Sequence, residues 1–283
     1  SLPDWIATRL VDRRGMEGAA AVAEAWNQPT RVVVRWRHNQ APGEAEPLRP
    51  HPLVPGAYVL TVAVSEADCL RDGRAVVQDA GAQLAAKLVP ADAMVSPSAV
   101  ALDLCAGVGG KTRHLSDRFG PSRVLAADIS GRKIRRLSSE LPEVRTAAWD
   151  ITRGTPPADF GAALPADVVL LDAPCSGLGS IGRHPETRWN RDEGLVGELS
   201  EVQAALLAGA ADLVKPGGCL VYVVCMDWHC GARPLRRVGE GTPIAQRYRG
   251  TLLLCNAWAL VLAANLWLQL ELWPLSNFEL YAR

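Results

Sequence analysis

From Ala99 onward the chain repeats one pattern: a short apolar run, a loop of small residues, then an amphipathic segment. VALDL, VLAAD, DVVLLD and CLVYVVC are the apolar runs. They are apolar along nearly their whole length instead of at alternate positions, as in strands covered on both faces, and covering both faces of a parallel sheet takes crossover helices. The pattern therefore predicts an α/β fold with a doubly wound sheet and ligands at the carboxyl ends of its strands. With 283 residues, 48% of them hydrophobic, the chain has room for a second, smaller unit before that sheet. Formal net charge is zero, so any basic surface must be local.

The seven cysteines are odd in number and scattered through apolar or glycine-rich surroundings, which points to a reducing compartment, the cytoplasm. Cys225, His229 and Cys230 lie close in sequence, but no second ligand pair at a zinc spacing accompanies them, and no metal is expected. The opening SLPDWIATRL carries no basic-then-apolar leader, so no signal peptide is expected, and the start at Ser1 leaves room for an upstream segment.

Two strand ends carry the chemistry. VALDL runs into CAGVGGKT, which misses the phosphate-binding P-loop because Cys105 stands where its first glycine belongs. The dinucleotide fingerprint is missed as well, since Gly107, Gly109 and Gly110 are spaced G-x-G-G. What remains is a loop of small residues (Cys105, Ala106, Gly107, Gly109 and Gly110) behind Asp103, where backbone can approach a ligand with a positive centre and an amino acid tail. Lys111 either contacts that ligand's carboxylate or packs at the helix start. Asp128 ends VLAAD, where a carboxylate can accept ribose hydroxyls or cap the helix ISGRKIRRL, and Asp150 in AAWD is placed to approach an adenine amino group. S-adenosylmethionine fits this set. At the other strand end, Val168 to Arg191, the apolar run stops in Asp172, Pro174, Cys175 and glycines, offering a carboxylate and a thiol.

These residues carry a resemblance. DLCAGVGGKTRHL resembles the DLCAAPGGKT motif, and LLDAPCSGLGSIGRHPETRW the DAPCSGxGxxRxxPxxxW motif, of the RNA cytosine-C5 methyltransferases of the RsmB/Sun (Fmu) type. RDGRAVVQDAGAQLAAKL resembles the segment before the catalytic domain there, and LVKPGGCLVYVVC the strand bearing that family's second cysteine. The resemblance implies a Rossmann-like class I methyltransferase sheet over residues 96–283 and a small α+β RNA-recognition domain over 1–95. It implies S-adenosylmethionine as donor, ribosomal RNA as substrate, and a monomer. It also implies a thiol that adds to cytosine C6 so that C5 can attack a methyl group. In that family the later cysteine attacks and the Pro-Cys thiol aids release, which assigns the nucleophile to Cys225, release to Cys175, and cytosine binding with proton transfer to Asp172. Lys133 matches a basic position near the donor. The chain departs from the family at Val224-Cys225-Met226, where Thr-Cys-Ser is usual, and at Gly107-Val108, where Ala-Pro is usual. Those departures raise the alternative of an RNA-binding relative that keeps the fold without turnover.

Elsewhere, Asp4 to Asn27 reads as two short helices broken at Gly15 and Gly18. TRVVVRWRHN reads as a half-buried strand whose Arg35 and Arg37 share one side, either a solvated strand edge or an RNA-contacting strand with Trp36 stacking. Gln40 to Pro55, with its prolines, reads as a loop; Tyr58 to Val64 as a strand; Ala80 to Leu88 as a helix; Ala91 to Ser98 as the boundary. Arg183 is a candidate for RNA phosphate and Trp189 is expected to pack its own loop. Residues 251–270 carry no charge and are long enough to span a bilayer, but Asn256, Asn265 and Gln269 interrupt them, so a buried segment and no membrane association are expected.

Overall fold

The computed structural model describes residues 1–37, 41–224 and the backbone of 251–256. The second half builds a fully parallel sheet from β5 (Ala101–Leu104), β6 (Val124–Asp128), β7 (Arg145–Ala148), β8 (Ala166–Asp172), β9 (Val214–Val224) and β10 (Thr251–Asn256), in the order β10-β9-β8-β5-β6-β7. Helices cover both faces, as the continuous apolar runs require. On one face Ala101, Val124, Ala126, Val168, Leu170, Val221 and Val223 pack with α3 (Ala80–Lys87), α4 (Gly110–Phe119) and α5 (Gly131–Glu140) through Ala85, Leu115 and Leu137. On the other, Leu102, Leu104, Leu125, Val169, Leu171 and Leu220 meet Leu206, Leu207 and Ala210 of α6 (Glu193–Ala211), with Trp149 and Phe160. The fold is the expected doubly wound, Rossmann-like one. The first six residues of the uncharged segment 251–270 are the edge strand β10, and the rest lies outside the described residues. Among the described residues no helix is long and apolar enough to cross a membrane.

Upstream lies a four-stranded antiparallel sheet, β1 (Val33–Trp36), β2 (Leu48–Pro50), β3 (Ala57–Leu60) and β4 (Ala75–Val77), ordered β2-β3-β1-β4, with the short α2 (Asp68–Arg71) before β4. The expected loop 40–55 thus contains a strand; Pro50 is tolerated because β2 is an edge. The strand expected to reach Val64 stops at Leu60, and Val64 opens a 3₁₀ turn. The helix α1 (Asp4–Asn27) is two helical pieces joined at Gly15, whose φ of 69° and ψ of 174° suit glycine alone; Gly18 sits inside the second piece. This helix does not cover the small sheet. Its Ile6, Leu10 and Ala19 are buried against Leu178, Ile181 and Val196 of the second half.

Arg35 corrects the reading of its strand as a solvated edge. Arg35 is only 5% exposed; its Nε donates to Gln78 Oε1 at 2.8 Å and its guanidinium to Asp117 Oδ2 at 2.6 Å. Arg37 donates to both oxygens of Asp117, at 3.0 and 2.8 Å. Asp117 lies on α4, so these arginines fasten the small sheet to the large half, Arg35 from a buried position and Arg37 from a partly exposed one.

Candidate active site

The glycine-rich turn after β5 has three left-handed residues: Cys105 (φ 58°), Gly107 (φ 60°) and Gly109 (φ 91°). A non-glycine residue in that region is uncommon and carries strain. The winding folds the turn onto the end of β6: Ala106 N–H donates to Ala127 O at 2.9 Å and Gly107 N–H to Asp128 Oδ2 at 2.9 Å. A Cβ added at Gly107 or Gly110 would meet no atom within 4 Å, so the turn presents bare backbone to open space at the head of α4. Burial pushes the Cys105 thiol up to about 12, with the Asp128 carboxylate adding to the shift. Cys105 is therefore a packed thiol of the turn and no nucleophile at neutral pH.

Four expected donor-site carboxylates occupy distinct environments. Asp103, within β5, is fully buried; Thr112 Oγ1 donates to its Oδ2 at 2.6 Å, while Oδ1 has no hydrogen-bond partner. Burial raises its carboxyl to about 7 against the lowering effect of Thr112 and Lys111. Asp128 spends one lone pair of each oxygen on backbone, on Gly107 N–H and on Ser130 N–H at 2.8 Å. The cap of α5 is Ser130, whose Oγ accepts from Lys133 N–H at 3.5 Å, so the capping role considered for Asp128 belongs to its neighbour. The Lys133 ammonium stands 4.0 Å from Asp128 Oδ2. Asp150 lies two residues beyond β7 and takes the backbone N–H and hydroxyl of Thr152; the hydroxyl, then the N–H, lowers its carboxyl. The fourth, Asp172, ends β8 and receives the Lys111 ammonium at 2.5 Å. Lys111 thereby joins the glycine turn to the strand end that leads to the thiol.

Beyond Asp172 the chain is held at the carbonyls of the two residues on either side of Cys175. Gln203 Nε2 of α6 donates to Pro174 O at 2.8 Å, and Arg191 Nε donates to Ser176 O at 2.9 Å. Gly177, at φ 73°, turns the chain into two 3₁₀ turns, and Cys175 borders the cluster formed with α1. Arg183 is paired with Asp79, the residue that caps α3. Trp189 is 60% exposed and does not pack its loop. Asp172 pairs in register with Val223 of β9. Cys225, the expected nucleophile, lies outside the described residues.

Residues 94–228 match the family described as 16S rRNA methyltransferase RsmB/F. Nearly half of the chain thus resembles the RsmB/F methyltransferases. The ribosomal RNA small subunit methyltransferase B of Salmonella heidelberg is 37% identical over 236 residues, covering 79% of this chain and 54% of that protein. That of Sodalis glossinidius is 38% identical over 154 residues, 54% of this chain and 35% of that protein. The chain thus spans about a third to a half of the length of these curated relatives. The crystal structure of PH0851 superposes with a TM-score of 0.68 at 25% identity over 81% of this chain and 54% of that one. A methyltransferase homolog protein from Pyrococcus horikoshii gives 0.58 at 20% identity over 79% and 78%, a likeness of fold.

Within the RsmB/F match, several contributors escaped sequence reasoning. Gln203 and Arg191 hold the thiol's loop by side chain to backbone bonds across 29 and 15 residues, which no local motif announces. Ile129 could have been found: a large apolar residue directly after the carboxylate that ends β6, it is 72% exposed.

Proposed function

We propose that the protein transfers a methyl group from S-adenosylmethionine to C5 of a cytosine in small-subunit ribosomal RNA, acting as a monomer in the cytoplasm through a covalent cysteine adduct at C6. The observation that carries this reading is the Lys111–Asp172 ion pair: it ties a bare-backbone glycine turn to the strand end that bears Asp172 and Cys175. The match to the RsmB/F family and the ribosomal RNA named for the relatives support it.

The cleft suits the donor. Gly107 and Gly110 leave open space where side chains would stand, the head of α4 offers backbone N–H groups, and Asp103 keeps a buried oxygen without a partner. Asp128 keeps acceptor capacity for ribose hydroxyls, Ile129 offers an apolar wall for a purine, and Asp150 stands beyond the third strand; Cys105, Ala106 and Gly109 shape the turn, and Lys133 sits beside Asp128. The donor supplies an electrophilic methyl group.

Cytosine C5 is a weak nucleophile, so the protein must first raise its electron density. The Cys225 thiolate adds to C6, forming an S–C6 bond and pushing the ring electron pair toward C5 and N3. Asp172 holds the amidine edge of the base, and its proton exchange at N3 balances that charge. After methylation a base removes the C5 proton, the S–C6 bond breaks, and the thiolate leaves; Cys175 assists this elimination. The test is a pair of variants incubated with donor and transcribed ribosomal RNA. Cys175→Ala accumulates a protein–RNA adduct resistant to denaturing electrophoresis, and Cys225→Ala forms none. The opposite pattern exchanges the two roles. Donor binding by wild type without any methylation overturns the enzyme reading in favour of an RNA-binding relative.

A further inference from the structure

Two adjacent residues of the small sheet's exit, Gln78 and Asp79, each hold a different loop of the site. Gln78 follows β4 and is buried; its Nε2 donates to Gly110 O at 3.0 Å, while its Oε1 accepts from the buried Arg35. Its own backbone is fixed as well, since its N–H donates to Val33 O at 3.1 Å and Gln83 Nε2 donates to its carbonyl at 2.9 Å. Gly110 is the first residue of α4, so its carbonyl belongs to the same peptide as Lys111 N–H at the cleft end of that helix. Asp79 caps α3 with Oδ1, accepting from Gly81 N–H at 2.9 Å, and pairs through Oδ2 with Arg183 in the loop that carries Cys175. One side chain therefore grips the donor turn and the next grips the thiol's loop.

We propose that this corner is a positioning element: Gln78 sets the orientation of the Gly110–Lys111 peptide toward the donor, and Asp79 sets the thiol loop toward the target base. Neither residue touches the reacting atoms. The proposal rests on the reading of the glycine turn as a donor site. A rigid link at this third corner makes the small sheet part of the catalytic geometry, because it joins two loops that the Lys111–Asp172 pair also connects. A polarised carbonyl also strengthens the donor capacity of the N–H across its peptide, so loss of Gln78 weakens the head of α4 without removing any group from the cleft.

Two near-isosteric variants separate the links. Gln78→Glu keeps an acceptor for Arg35 but cannot donate to Gly110 O. Asp79→Asn keeps a good helix cap but loses the charge opposite Arg183. With full-length protein, calorimetric titration with S-adenosylmethionine is expected to show a roughly three- to tenfold weaker Kd for Gln78→Glu and an unchanged Kd for Asp79→Asn. Methylation kinetics are expected to show the converse for Asp79→Asn, with kcat per bound RNA lowered and the donor KM unaltered. A purely structural role would lower Tm in both variants and leave the Kd and kcat of the folded fraction at wild-type values, which overturns the proposal. No donor binding by wild type overturns instead the donor-site reading on which it rests.

Discussion

Replacing Asp117 with alanine removes the common partner of two arginines in unequal surroundings. The Arg35 side chain is 6% exposed and that of Arg37 30%. Removing one member of a buried ion pair costs about 3–5 kcal/mol because a desolvated charge is left behind, whereas a partly exposed pair contributes about 0–1 kcal/mol. Nearly all the loss is therefore expected through Arg35. At roughly 2–4 °C per kcal/mol for a protein of this size, Asp117→Ala is expected to lower Tm by on the order of 10 °C, and Arg37→Ala by no more than about 4 °C. Replacing the pair together, as Arg35→Met with Asp117→Leu, is expected to recover most of the loss, since no charge is then buried unpaired.

The pH dependence has a definite sign. Burial raises the Asp117 carboxyl, but the hydrogen bonds from Arg37 and Arg35 outweigh it and the net shift is downward. A carboxyl lowered in the folded state stabilises fully above its unfolded pKa of about 3.9 and loses that contribution as pH falls through the folded value. The gap between wild type and Asp117→Asn should be flat above about pH 5 and close only below about pH 4. Differential scanning fluorimetry with urea titration measures both effects. Equal melting of Asp117→Ala and Arg37→Ala would refute the assignment of the cost to Arg35.

Other outcomes follow from the cleft. Asp103, raised to about 7 by burial, holds a proton in the folded state that the unfolded chain releases near pH 4, so wild-type stability should decline from about pH 4 to pH 7 by up to about 1.4 kcal/mol per pH unit, and Asp103→Asn should remove the slope in urea unfolding. Gly109→Ala forces a Cβ into a left-handed residue and to 3.0 Å from Leu137 Cγ; unfolding titrations should show a loss of about 1–3 kcal/mol. Gly110→Ala meets open space and should leave Tm unchanged while weakening S-adenosylmethionine binding in calorimetry, because its methyl occupies the cleft.

The large sheet was legible because its signal is local: each strand is a contiguous apolar run, and VVLLD and VLAAD end in the carboxylates that mark the ligand edge. The glycine turn between β5 and α4 was legible for the same reason. The small sheet was read less well. Its strands have three or four residues, too short for periodicity to separate from loop, and β2 hides among prolines tolerated at an edge. Arg35 was misread because alternation reports which side of a strand a residue faces and says nothing of what covers that side. Here the cover is Asp117, some 80 residues later. Trp189 shows the reverse error: an aromatic in a glycine loop invites a packing role, yet its neighbours turn it outward.

The docking of α1 on residues 178–196 bears on how the chain is made. Ile6 and Leu178 are in one cluster although 172 residues separate them. At about 5–20 residues per second, the ribosome delivers the partner of α1 roughly 10–35 s after the helix itself emerges. During that interval an amphipathic helix with Trp5, Ile6 and Leu10 has no permanent surface to cover. Strands β5 to β8 emerge in between, whereas β9 and β10 follow the partner of α1, so the helix waits with its apolar face open while four of the six strands of the large sheet are delivered.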